Sequence, residues 1–451
     1  MTKNRIISWL SCLLLALPHT IKAQAEKTEF NLSLKEVLEY SLKHSFSIQQ
    51  ATYDQQSAKF KEMEVMSSGL PQVTAEGQYQ NFPNLPTQIL PGELLGQPGS
   101  EIEVQFGTEY NANGAIKVNQ LLYDQSFLTA LKASKSSREL YQLLKEGTEE
   151  DVIYEVSTAF YSVLQLEAKL KVLDSNLQTL DHLEQLMKVQ MENDLVKKTD
   201  YGRVKVNKVN INTEYQALDA SLKQQKNYLK FLMGMPITNE ISLRKGESIE
   251  EINLKSLQNA RVDQISLKII DKQKALTQLE KQSIIAQYYP TLSLFGQQMW
   301  QAQRSEFNFF DGNEPWFQQT YWGVQLEIPI FDGLRKHRQI QQSKVALDKI
   351  SLEKTQTNRQ LDMQFVNAKK QLLNSLKSVN AQEVNRELAK EVYQQTRHLY
   401  QEQVISLTEF LDAEQAYLQS QNNYFNELIK FKVAELDLLK AQGNLKTILN
   451  Q

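Results

Sequence analysis

Two carboxylates, Glu409 and Asp412, stand three residues apart in ISLTEFLDAEQAY, from Ile405 to Tyr417. On a helix such positions share a face, so the pair could serve acid/base chemistry. Nothing completes an active site around them. Past residue 25 the histidines are His44, His182, His337 and His398, without metal-ligand spacing, and there is no phosphate loop, GxSxG or HExxH. The chain therefore reads as a non-enzyme with no catalytic residue, metal or cofactor. Ser406-Leu407-Thr408-Glu409 reads as a capping box, with Ser406 as the cap and Glu409 reaching back to it. A first-turn carboxylate also suits the helix dipole. Asp412 has no capping duty and is the stronger candidate for another task. About two hundred residues earlier, VKKTDYGRVKVN puts Asp200 at the equivalent position, with Lys197 in place of the capping serine.

The elements that must position these residues follow from the rest of the chain. It has 451 residues and a net charge of −3, with no basic bias toward nucleic acid. Lys3 and Arg5, the apolar run Ile6 to Leu17, and Ala23-Gln24-Ala25 form a signal peptide over 1–25. Its removal leaves 47 basic against 53 acidic residues and takes away Cys12, the one cysteine. No run of 18 apolar residues follows, so no membrane-spanning helix is expected. Export then leaves a periplasmic, secreted or strand-type outer-membrane protein.

Long helices are expected over about 126–192, 196–233, 334–402 and 407–449. The first and third are about 100 Å long at 1.5 Å per residue, which implies a coiled-coil or rod-like packing. Phe410, Tyr417, Tyr424, Phe431 and Leu438 recur every seven residues, as do Leu411, Leu418, Phe425 and Leu439, with Lys432 breaking that row. Tyr201, Tyr215, Leu222 and Leu229 repeat the pattern more weakly, with Lys208 as the exception. Such repeats hold one apolar seam against neighbouring helices.

Four segments alternate with period two and read as strands, at about 72–82, 109–121, 291–303 and 319–330. Their polar faces carry Glu76, Lys117 and Glu327, and aromatics crowd their ends. Strands of about ten residues, apolar on one face and polar on the other, fit a transmembrane barrel. Pro83 to Gly99 reads as an exposed loop. LPQV matches YPTL, LLYD matches PIFD, TDY matches TEF, and Gly234 matches Gly443 at an offset of 209. The chain is thus two copies of a helix-strand-strand-helix-helix unit, at 26–234 and 254–451, joined by a linker at 235–253. Four strands cannot close in lipid, but a ring of three chains supplies twelve.

These features together resemble the TolC family of outer-membrane efflux ducts. The resemblance rests on LSLKEVLEYSLKHSFSIQQA (Leu32 to Ala51), the doubled proline-to-strand junctions, QLLYDQ and IPIFDG, and the helix turns before Asp200 and Glu409. It implies a mainly α protein with a small β part. Four strands per chain would complete a trimeric 12-stranded transmembrane β-barrel, continued by a long periplasmic α-helical coiled-coil barrel. It implies a homotrimer in the outer membrane, acting as the passive channel of a tripartite efflux or type I secretion system. The partners would be a periplasmic adaptor and an inner-membrane RND or ABC-type pump. The other reading kept open is a periplasmic coiled-coil adaptor without a barrel. By the same resemblance, Thr199, Asp200 and Tyr400 form the periplasmic gate, and Glu409 and Asp412 the acidic pore entrance. A bracing arginine found in some members falls at Ile405, and the frequent turn glycines fall at Asp194 and Gln403. Glu76, Lys117 and Glu327 are expected to line the barrel lumen.

Overall fold

A computed structural model describes residues 29–91, 99, 101–244, 262 and 264–450. The expected signal peptide, with Cys12, and residues 245–253 of the expected linker lie outside them. In order the elements are β1 (Glu29–Leu32), α1 (Leu34–His44), α2 (Phe46–Ser67), β2 (Gln72–Asn81), β3 (Thr87–Pro91), β4 (Glu101–Gln105), β5 (Tyr110–Tyr123), α3 (Gln125–Glu192) and α4 (Lys198–Met233). Then come β6 (Glu240–Leu243), α5 (Ile265–Ala286), β7 (Thr291–Arg304), β8 (Phe317–Glu327), α6 (Arg335–Gln401), α7 (Leu407–Gln442) and a closing 3-10 helix, Leu445–Asn450. The series α2-β2-β5-α3-α4 recurs as α5-β7-β8-α6-α7.

Two expectations are corrected. The last helix stops at Gln442 rather than 449, because Gly443 turns left-handed with φ 75°. Strand β8 stops at Glu327 rather than 330, because Pro329 has no N–H to give a ladder. The connection from Pro83 to Gly99, read as an exposed loop, holds a mostly exposed strand, β3, which pairs antiparallel with β4 beyond it.

The main sheet runs β2-β5-β7-β8, all antiparallel, with β2 and β8 as its edges. Its register pairs Val73 with Val118, Gly296 with Val118, and Gly296 with Trp322, placing these residues on one face. Val73, Tyr79, Ile116, Val118, Leu294, Trp322, Val324 and Leu326 all lie on that face and are exposed. The opposite face carries Thr74, Lys117, Gln297 and Tyr321 in one row. Phe295, an aromatic on that polar face, covers Gly323, where an added Cβ would sit 3.0 Å from Phe295 Cζ. An apolar sheet face left open to the outside is the inverse of what a soluble half-buried sheet requires.

The strands feed directly into helices. Asp124 of LLYD starts α3, its Oδ1 accepting from Ser126 N at 2.6 Å and Phe127 N at 3.2 Å. Asp332 of PIFD, two residues before the Leu334 cap position of α6, accepts from Lys336 N at 3.2 Å. α3 has 68 residues and α6 has 67, each about 100 Å long. α2 and α5 flank the first part of α3, and α4 and α7 carry the arm onward. The largest core gathers midway along α3, where Val152 to Leu164 meet α1, the ends of α4 and α7, and the small parallel β1/β6 sheet. Further out the seven-residue seams are buried as read: Tyr424, Phe431 and Leu438 pack with Leu372 and Val379 of α6. The two breaks are neutralised. Lys432 is buried beside Glu435 at 3.6 Å, and Lys208 pairs with Asp181 and Glu184 of α3.

Candidate functional site

The arm ends in two exposed turns, α3 to α4 and α6 to α7. Both are closed by the same backbone device. Asp194 N bonds Met191 O at 3.1 Å and Leu195 N bonds Gln190 O at 2.8 Å; Gln403 N bonds Tyr400 O at 3.0 Å and Val404 N bonds Leu399 O at 2.9 Å. This double bond needs a left-handed residue, and Asp194 (φ 57°) and Gln403 (φ 61°) supply it. Gly234 and Gly443 close the opposite ends of α4 and α7 with the same motif. The difference is packing. A Cβ on Gly234 would lie 2.1 Å from the His44 carbonyl oxygen, whereas Asp194 and Gln403 face solvent. The hydrophobic residues that follow, Leu195 (73% exposed) and Val404 (66%), stand out at the tip.

Beneath the turns, Met187, Val204, Leu407 and Phe410 are buried together, with Tyr201, Tyr400 and Ile405 against them. The tip thus joins both repeats. Tyr400 stacks on Phe410 at 5.2 Å and 11°, and its hydroxyl donates to Met187 Sδ at 3.4 Å. Burial pushes the Tyr400 hydroxyl's pKa up, and the nearby Asp200 charge adds to it. The hydroxyl's acceptor is Met187, so the bond to Asp200 expected from the resemblance is not seen among the described residues. Thr199 is exposed.

Sequence reasoning missed the residue that spans the two turns. Arg203 of α4 donates Nη1 to Thr408 Oγ1 of α7 at 2.5 Å. Ile405, where some members carry an arginine, packs into the tip core, and the Arg203–Thr408 bond comes from the other repeat, in the second turn of α4. The only sequence signal was the offset itself, since Arg203 lies three residues after Asp200 on the same helical face.

Ser406 accepts from Glu409 N at 3.3 Å. The reciprocal bond that α1 makes, where Glu36 reaches Ser33 N at 2.8 Å, is not formed by Glu409. Its carboxylate is exposed, as is that of Asp412 one turn on. The capping reading of Glu409's side chain is thereby corrected: Ser406 caps α7 alone and leaves both acids free. At the other end of the molecule, Lys117 pairs with Glu76. Glu327, opposite Thr291, shares their polar face.

Solved structures share this arrangement along nearly its whole length. The Campylobacter jejuni CmeC outer membrane channel superposes with a TM-score of 0.71 at 14% identity, over 91% of this chain and 85% of that one. CusC, described with transmembrane channel formation, gives 0.69 at 15%, over 91% and 92%. The outer membrane protein VceC from Vibrio cholerae gives 0.68 at 16%, over 91% and 96%. This is the outer membrane efflux channel fold. The family model described as outer membrane efflux protein matches residues 274–444, most of the second repeat, and the resemblance to the TolC family stands. No curated protein matches the chain by sequence. Among the described residues no helix is long and apolar enough to cross a membrane, and the channels this fold resembles are described as outer membrane channels and proteins.

Proposed function

We propose that three copies of this chain form a passive outer-membrane duct for a tripartite efflux or type I secretion system. One observation carries the reading. A four-stranded sheet with an exposed apolar face and two unpaired edges is joined directly to helices about 100 Å long. Edge strands leave backbone groups unpaired, which lipid does not tolerate. β2 and β8 run in opposite directions, so β8 of one copy can pair antiparallel with β2 of the next. Three copies give a closed ring of twelve strands with Glu76, Lys117 and Glu327 inside.

The helical arms then form a tube whose tip is the entrance. Glu409 and Asp412, unpaired and exposed, become a ring of six carboxylates that attracts cations and tunes selectivity. The gate consists of Tyr400, Asp200 and Thr199, with the Arg203–Thr408 tie. The exposed Leu195 and Val404 are the apolar contacts for a periplasmic adaptor, which links the duct to the pump. The duct itself supplies no energy.

Purified protein reconstituted in a planar bilayer tests this. The expected result is discrete single-channel steps, with a cross-linked trimer as the conducting species. A protein that stays soluble and monomeric without detergent, and gives no steps, would overturn the reading.

A further inference from the structure

Glu414 lies two residues beyond Asp412, about 10 Å inside the start of α7, yet only 2% of it is exposed. Asn176 of α3, also buried, donates Nδ2 to Glu414 Oε1 at 2.9 Å. The remaining atoms of the two groups, Glu414 Oε2 and Asn176 Oδ1, are both buried and both lack a partner. While Glu414 is ionised, both are acceptors and cannot bond each other. One proton resolves the mismatch. A neutral carboxyl places an O–H on Oε2 that donates to Asn176 Oδ1. The pair then closes as a cyclic acid–amide ring with its polar atoms satisfied.

The surroundings favour the neutral form. Tyr393 and Arg397 of α6 act on the site, and Tyr393 stacks on Tyr417 of α7 at 5.5 Å. From α4, Ile211 and Tyr215 add apolar cover nearby. Burial pushes the Glu414 carboxyl up to about 7, against the opposing pull of the Asn176 bond and of Arg397.

We propose that Glu414 and Asn176 form a proton-dependent latch that holds α7 on α3 just inside the tip, keeping the entrance narrow in acid and letting it widen when Glu414 gives up its proton to solvent. The proposal rests on the duct reading. It places the switch on the same helix that carries Glu409, Asp412 and the Arg203–Thr408 tie.

The full-length protein in detergent and in planar bilayers tests it in two ways. In infrared difference spectra, a carboxylic-acid C=O band should disappear as pH rises from 6 to 8, and be missing from Glu414→Gln. Single-channel conductance of the wild type should rise at least two-fold over the same range. Glu414→Gln, whose amide can pair with Asn176 at any pH, should stay at the acid level throughout. Asn176→Ala should keep the carboxyl band but lose the acid closure. The proposal is overturned by the absence of a titrating band, by open conductance that is flat from pH 5 to 9, or by full pH dependence in Glu414→Gln. Wild-type protein that never conducts would instead overturn the duct reading, and the infrared result would still be readable.

Discussion

Arg203→Ala cuts a side-chain bond between the α4 and α7 ends of the tip. A hydrogen bond to a charged group contributes about 1.5–3 kcal/mol when sheltered. Arg203 and Thr408 are both exposed, which brings the expected value down to about 0.5–1 kcal/mol per chain. In the proposed ring, three copies acting on one aperture would add to about 1.5–3 kcal/mol, a tenfold to hundredfold shift toward the open entrance. Single-channel recording measures it as open occupancy in Arg203→Ala against wild type. Thr408→Val, which keeps the shape and removes the acceptor, should give the same shift, and the double variant should add nothing beyond either. Tyr400→Phe should do less, because it loses only a bond to a methionine sulfur. Occupancy unchanged in Arg203→Ala, or full additivity in the double variant, would show that the tie does not hold the tip.

Glu414 makes stability depend on pH with a definite sign. Its folded pKa of about 7 lies above the ordinary 4.5, so its contribution is complete below about 4.5 and is lost as pH rises to about 7. That corresponds to about 3 kcal/mol, and thermal melting of wild type should fall across this window while Glu414→Gln stays level. Gly234→Ala should lower the melting temperature sharply, by about 2 kcal/mol or more in stability, since its Cβ meets a backbone oxygen at 2.1 Å in a left-handed turn. Gln403→Gly relieves the same conformation at an exposed turn and should stabilise by about 1 kcal/mol in the same melting assay. Asp412→Asn should weaken block by multivalent cations applied at the periplasmic side, and block of undiminished strength would remove Asp412 from the pore.

Much of the architecture was legible because its causes are local or periodic. Alternation set the strands and their faces, and the sheet register kept Glu76, Lys117 and Glu327 on one side. Seven-residue spacing set the seams, and Asp124 and Asp332 marked the starts of the two long helices. The turn positions Asp194 and Gln403 came from the family resemblance alone, and only the structure shows that both are left-handed. What lay beyond the sequence was pairing between side chains far apart in the chain. Arg203 finds Thr408 across 205 residues and Asn176 finds Glu414 across 238. Lys208 looked like a flaw in a seam until Asp181 and Glu184 came beside it. Glu409 read as a cap from spacing alone, yet its side chain stays in solvent. A repeat fixes which face of a helix turns inward, but the axial register of one long helix on another comes from summed side-chain packing, and that register decides which polar atoms meet.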